Sequence, residues 1–261
     1  MVDKALTYTS YLRIDELLEL QTPLSEGPEH DEVLFIVIHQ VYELWFKQLL
    51  HELAGLQRAL EGGDSAMALH LMRRVRTILK TAVGQIDILE TMTPRSFASF
   101  RDRLASASGF QSAQFREFEA VLGRRDPLVL EHHPAGQRER IADAMARRDL
   151  FDSFLGYLAA SGHTVPAAAL ERDVTTPREP DEQVQATLLD VYRADQIAAQ
   201  MCESLVDIDE GVQEWRYRHV KMVERTIGAK PGTGGSSGVG YLRETLFQPA
   251  FPDLWRVRSQ F

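Results

Sequence analysis

Two histidines, one arginine and a glycine-rich loop are the residues of this chain best suited to chemistry. His219 recurs with Val212, Trp215, Met222 and Thr226 at intervals of three and four residues. That spacing puts its imidazole on the apolar face of a helix. The helix runs into a loop with six glycines from Gly228 to Gly240, interleaved with Thr233, Ser236 and Ser237. A neutral imidazole can coordinate a metal, and free loop N–H groups and hydroxyls can wrap a polar ligand. Both features also have plain readings, as a hydrogen-bonded core histidine and a solvated Gly/Ser linker. A phosphate loop is not indicated: Gly-x-x-x-x-Gly-Lys-Ser/Thr is absent, and the run from Gly232 to Ser237 lacks the last glycine of the dinucleotide fingerprint. A metal or haem site is the candidate that remains.

His39 lies one helical turn after Phe35 in an aromatic run that continues through Tyr42 and Phe46. Phe97 and Arg101 are four residues apart in a segment that Thr93-Pro94 starts as N-cap and first helical residue. A guanidinium there can grip a carboxylate bidentately, although a surface ion pair is the commoner use. His51-Glu52 fails as a zinc motif because Gly55 stands where the second histidine is needed. His132 and His133 make a poor metal site, since neighbours in extended chain point apart.

The elements that must carry these groups read as helices. Acidic residues open a long helix at Asp31, with Leu34, Ile38, Val41, Trp45, Leu49 and Leu53 on one stripe and Phe35, His39, Tyr42 and Phe46 on another. A helix apolar on two sides should be central. Asp64 or Ser65 caps a second helix, whose Leu71, Val75, Ile78, Ala82, Ile86 and Leu89 keep bundle-like spacing. A helix around Phe115, Phe118 and Leu122 stops at Gly123, and 126–136 is expected to be a loop. Residues 137–160 read as one helix, and so does the stretch from about Glu182 into the His219 segment. Residues 1–30, with Tyr8 and Tyr11, form an N-terminal arm broken from the rest by the Pro/Gly/Ser cluster at 22–28. Residues 161–180 are the longest irregular stretch and the candidate excursion. No alternating strand is seen, so the fold class is an all-α bundle, read as one domain over residues 1–261.

Length and charge narrow the function. A chain of 261 residues can bury a substantial core. A formal charge of −9 argues against nucleic-acid binding, which needs a concentrated basic face. The single cysteine, Cys202, excludes an internal disulfide and fits a cytoplasmic protein. Met1 to Ser10 lacks the pattern of a signal peptide, and the apolar run Val33–Phe46 is too short to span a membrane.

Four blocks together carry a resemblance. YTSYLRIDELL (8–18), FIVIHQVYELWFKQ (35–48), SFASFRDRLASASGFQS (96–112) and YRHVKMVERTIGAKPGTGGSSGVGYL (217–242) resemble, in that order, the tryptophan 2,3-dioxygenase family. The likeness spans nearly the whole chain and is weakest at about 123–210. It implies an all-helical, homotetrameric enzyme that encloses haem b, with ferrous iron in the active form. Such an enzyme inserts O2 across the indole C2–C3 bond of L-tryptophan, giving N-formylkynurenine, the first step of the kynurenine route. The resemblance assigns His219 as axial ligand of the haem iron and His39 as the distal histidine that bonds the indole N–H. By the same likeness Arg101 holds the substrate carboxylate, Thr233 contacts its ammonium, and Phe35, Phe97 and Ser108 line the pocket. Tyr8 and Tyr11 match tyrosines that complete a neighbouring subunit's pocket.

Elementary chemistry agrees with these roles. Haem on one neutral imidazole keeps a position open for O2. An indole needs a dry aromatic slot and one polar partner, and a zwitterion needs a cation and small acceptors. Ile38 stands where the family commonly has a polar residue, which is expected to alter hydration beside His39. A relative oxygenating another indole, a non-catalytic haem sensor or carrier, and a metal-free interaction module are the rival readings at this point.

Overall fold

The structure is a computed structural model that describes residues 6–27, 29–104, 109–230 and 239–261. Short α1 (Tyr8–Leu12) and α2 (Ile14–Leu18) meet at Arg13, whose φ of 53° turns the chain between them. The bundle proper comprises α3 (His30–Glu61), α4 (Ser65–Leu89), α5 (Pro94–Arg101), α6 (Ala113–Val121), α7 (Ala135–Met145) and α8 (Leu150–Ala160). It continues with α9 (Ala167–Leu170), α10 (Glu182–Ala194), α11 (Gln196–Ile227), α12 (Val239–Glu244) and α13 (Pro252–Arg256). The described residues contain no strand, as the all-α reading requires.

Local signals start these helices where expected. Asp64 accepts from the amide of Met67 to cap α4, and Thr93 accepts from that of Ser96 ahead of Pro94 in α5. The main packing is α4 against both α3 and α11, with α6 and α8 also on α3. Leu49, Leu53 and Leu56 of α3, Met72 and Val75 of α4, and Met201, Cys202 and Leu205 of α11 are wholly buried in one core. Tyr42 adds a hydrogen bond from its hydroxyl to the carbonyl of Ala82, 2.9 Å away, locking α3 to α4. The N-terminal half of α3 is less enclosed: Val33, Val37 and Leu44 are exposed. By length and composition α3 could cross a membrane, which the shorter run read from the sequence did not suggest. Its C-terminal half packs into the core, where Leu49, Leu53 and Leu56 are wholly buried.

Three expectations are corrected. Residues 137–160 are two helices, because Asp149 and Asp152 form a reciprocal capping box that starts α8 afresh. The stretch from Glu182 breaks at Asp195, whose carboxylate caps α11 through the amides of Ile197 and Ala198. Pro127–His132 is a 3-10 turn rather than open loop, and it buries His133. Residues 161–180 are irregular apart from α9, yet they are pinned down by charge. Arg172 bonds Asp149 at 2.7 Å and Asp152 at 2.8 Å, and Arg178 pairs with both while lying 5.0 Å over the Phe151 ring. Gly123, with φ of 105°, closes α6 where a Cβ would come within 3.1 Å of an Asp149 oxygen.

Candidate functional site

Helices α3 and α5 build an aromatic wall. The rings of Phe35 and His39 lie 4.1 Å apart, and Phe35 also packs on Phe97 at 5.9 Å and Phe100 at 5.7 Å. Phe100 is fully buried and sets Phe97 edge-on at 5.4 Å. The carbonyl of Phe35 lies 2.7 Å from His39 Nδ1. A carbonyl can only accept, so Nδ1 carries the proton and Nε2 presents a lone pair. Burial holds the His39 pKa below its ordinary value, against the opposing pull of the Phe35 carbonyl and Glu43, so the ring is neutral. The turn after α5 passes close to this nitrogen: a Cβ on Gly109 would lie 4.0 Å from Nε2.

On α11 the indole of Trp215 stacks on His219, with centroids 5.0 Å apart and planes 6° from parallel. Phe115 packs on the same indole at 4.8 Å, and Tyr42 and Phe46 meet it edge-on at 6.2 Å. Burial, followed by the charges of His39 and Arg116, pushes the His219 pKa down to about 4. Its ring is therefore neutral near pH 7, with a ring nitrogen able to serve as a ligand. Among the described residues no group of three His, Cys, Asp or Glu could hold a bare metal ion. A single neutral imidazole in an aromatic setting fits haem, which brings its own four nitrogens and needs only an axial ligand.

Arg101 ends α5 and lines a cleft of roughly 310 Å³, in which Pro94, Phe97 and Ala98 face Thr226 to Gly228 and Lys230 across the gap. The structure thus groups His39, Phe35 and Phe97, stacks His219 on Trp215 of α11, and puts Arg101 at the cleft beside Phe97. Thr233 and Ser108 lie outside the described residues, as does the glycine loop over 231–238. Tyr8 and Tyr11 are 75% and 70% exposed, on a helix that buries nothing. Ile38 is only 4% exposed and belongs to the main core, so it faces packing rather than the water expected beside His39. His51 is exposed, and its neighbour Glu52 is buried in a bond to Arg74.

Sequence reasoning missed four contributors. Phe100 was passed over for Phe97, although it is the buried member of the pair. Trp215 was read only as an apolar residue, although its spacing of four from His219 is the signal for a stack. Arg116 and Glu119, charged residues three apart beside Phe115 and Phe118, carried a trace of the buried ion pair they form.

An all-helical frame that buries two neutral histidines among aromatic rings, with an arginine at a nearby cleft, is the setting of a helical ligand-binding protein. The chain belongs to the tryptophan 2,3-dioxygenase family, whose model matches residues 1–147 and 180–261. It is 64% identical over 257 residues to a tryptophan 2,3-dioxygenase of Anaeromyxobacter sp. (strain K), covering 98% of this chain and 96% of that one. Similar proteins of the same name occur in Herpetosiphon aurantiacus, 56% identical over 99% of both chains, and in Caulobacter vibrioides, 45% identical over 98% of both. The chain is accordingly an oxidoreductase that oxidises tryptophan, and the family implies dependence on haem. The carrier and interaction-module readings give way to an enzyme.

Proposed function

We propose that the space between His39 and His219 holds haem b on His219 and L-tryptophan against His39, and that the product is N-formylkynurenine. When bound, the haem supplies the ferrous iron that activates O2. The protein's own task is positioning. His39 Nε2 accepts the indole N–H, which orients the ring, while Phe35 and Phe97 provide a dry aromatic face that excludes water. Arg101 receives the carboxylate through paired N–H donors. Thr233 takes the ammonium group and Ser108 lines the pocket, both by the family's motif. Together these contacts present the C2–C3 bond for insertion of both oxygen atoms.

The observation that carries this reading is the tautomer of His39. Its Nδ1 is committed to the Phe35 carbonyl, so Nε2 acts only through its lone pair, and with the iron assigned to His219 that lone pair is left to accept a hydrogen bond. An indole N–H is the complementary donor.

We also infer a homotetramer in which Tyr8 and Tyr11 complete a neighbour's pocket. Support comes from α1 and α2, which bury none of their residues, and from the exposed Val33, Val37 and Leu44 on α3. Apolar surface of that kind is ordinarily covered by a partner. A single, buried, unpaired cysteine fits a cytoplasmic location. The decisive experiment mixes reduced, haem-loaded protein with O2 and L-tryptophan and identifies the product by mass. A product heavier by both oxygen atoms is expected, and one carrying a single oxygen refutes ring opening.

A further inference from the structure

Next to Phe115 of α6 and Trp215 of α11 sits a buried cluster of charges. Glu119 of α6 is 4% exposed and bonds Arg116 at 2.7 Å and Arg216 at 2.7 Å, with Arg124 at 3.7 Å. Arg116 is itself 5% exposed. Arg216 follows Trp215 in α11 and donates also to the carbonyls of Thr245 and Gln248, each 3.4 Å away. Arg124 leans outward to Asp126 at 3.3 Å. Carrying several charges out of water is costly, and hydrophobic side chains of similar volume would stabilise the fold at least as well. A functional reason for keeping the cluster is therefore worth seeking.

A row of contacts connects the cluster to the axial position. The Arg116 guanidinium lies 5.6 Å from the centre of the Phe115 ring. Phe115 packs on Trp215 at 4.8 Å, and Trp215 stacks on His219 at 5.0 Å. Two aromatic side chains, Phe115 and Trp215, thus separate a buried cation from His219. The field of a charge is felt far more strongly through such a medium than through solvent. The charge of Arg116 does reach His219, where it disfavours the protonated ring.

We propose that Arg116, oriented by Glu119, is a positioning residue that favours the ferrous over the ferric state of the haem bound on His219. A cation beside the axial ligand raises the energy of the more positive iron, so the reduced form gains. The inference rests on His219 being the axial ligand.

The test is the midpoint potential of haem-loaded protein, read by optical titration with mediators in wild type, Arg116→Met, Arg116→Lys and Glu119→Gln. Arg116→Met should lower the Fe(II)/Fe(III) ratio at a fixed potential by about three- to tenfold. A tenfold change corresponds to ~59 mV for a one-electron couple. Arg116→Lys keeps the charge and should stay within about twofold of wild type. Glu119→Gln removes the opposing carboxylate and should move the potential the other way, upward. A purely structural cluster cannot produce opposite signs, since loosening the fold would shift both variants alike.

If Glu119→Gln fails to fold, the Arg116 pair decides the matter: Met lowered and Lys retained supports the proposal, and equal potentials overturn it. Shifts of the same sign in Arg116→Met and Glu119→Gln overturn it too. A wild-type chain that takes up no haemin, or a His219→Ala variant with an unchanged haem spectrum, refutes the axial assignment instead.

Discussion

Replacing His39 by alanine gives the sharpest test of how the substrate is oriented. In the native pocket the ring is anchored by the 2.7 Å contact between Nδ1 and the Phe35 carbonyl and packed 4.1 Å from the Phe35 ring. Nε2 is consequently preorganised, and the hydrogen bond it accepts costs little ordering. Removing it leaves the indole N–H buried without a partner, a penalty of ~1–3 kcal/mol. That corresponds to about five- to 150-fold weaker binding. A water entering the space of the lost imidazole would restore part of the bond, which favours the lower half of that range.

The assay is an optical titration of haem-loaded protein with L-tryptophan and with its benzofuran analogue, in which ring oxygen replaces N–H. Wild type should discriminate between the two ligands, and His39→Ala should lose most of that discrimination while retaining its haem. Equal weakening of both ligands by the mutation would show that His39 acts only by packing and would refute the orientation argument.

Other consequences follow from the same geometry. Arg101→Ala should weaken L-tryptophan by about one to two orders of magnitude, the worth of a charge-assisted bond of ~1.5–3 kcal/mol, yet barely affect tryptamine; equal losses in a four-way titration would make Arg101 structural. Asp152→Asn leaves Arg172 and Arg178 with one carboxylate in a buried cluster, so a cost of about 3–5 kcal/mol is expected. A calorimetric melt should fall by roughly 6–20 °C with the haem spectrum intact, and an unchanged melt would remove this cluster from the stability argument. Glu32 supplies the pH dependence. Burial pushes its pKa up, but the nearby Ser25 side chain and the amides of Leu24 and Ser25, which donate to it at 2.7 and 3.1 Å, outweigh that and hold it below the usual carboxylate value. A carboxylate with a depressed folded pKa contributes stability that is present above its unfolded pKa and disappears as pH falls through the folded one. The protection factors of the Leu24 and Ser25 amides, corrected for intrinsic exchange, should therefore be flat near neutrality and fall below about pH 4.3, and Glu32→Gln should remove the acid limb.

The helices most regular in spacing were legible from the chain alone. The stripes of α3 and α4, the Asp64 and Thr93-Pro94 starts, and the placement of His39 and His219 on inward faces depend on residues three and four apart. Contacts of that range are made within one helix whatever it later packs against. The breaks before α8 and α11 were not legible, because the apolar period runs through both. There an aspartate wins by bonding the new helix's first amides, a choice that depends on whether the flanking segments have somewhere else to pack.

The site divides in the same way. Residue types and order nominated His39, His219, Phe35, Phe97 and Arg101, since each lies in a local motif. Which nitrogen of His39 is available, how far His219 is held from protonation, and why Glu119 is tolerated in the interior were decided only by tertiary structure. Glu119 finds Arg216 from 97 positions away in the chain, and His219 owes its depressed pKa to helices that surround it rather than to its neighbours in sequence. Hydrogen bonds at helical spacing are encoded locally, whereas desolvation and the fields of distant charges exist only after the helices have assembled.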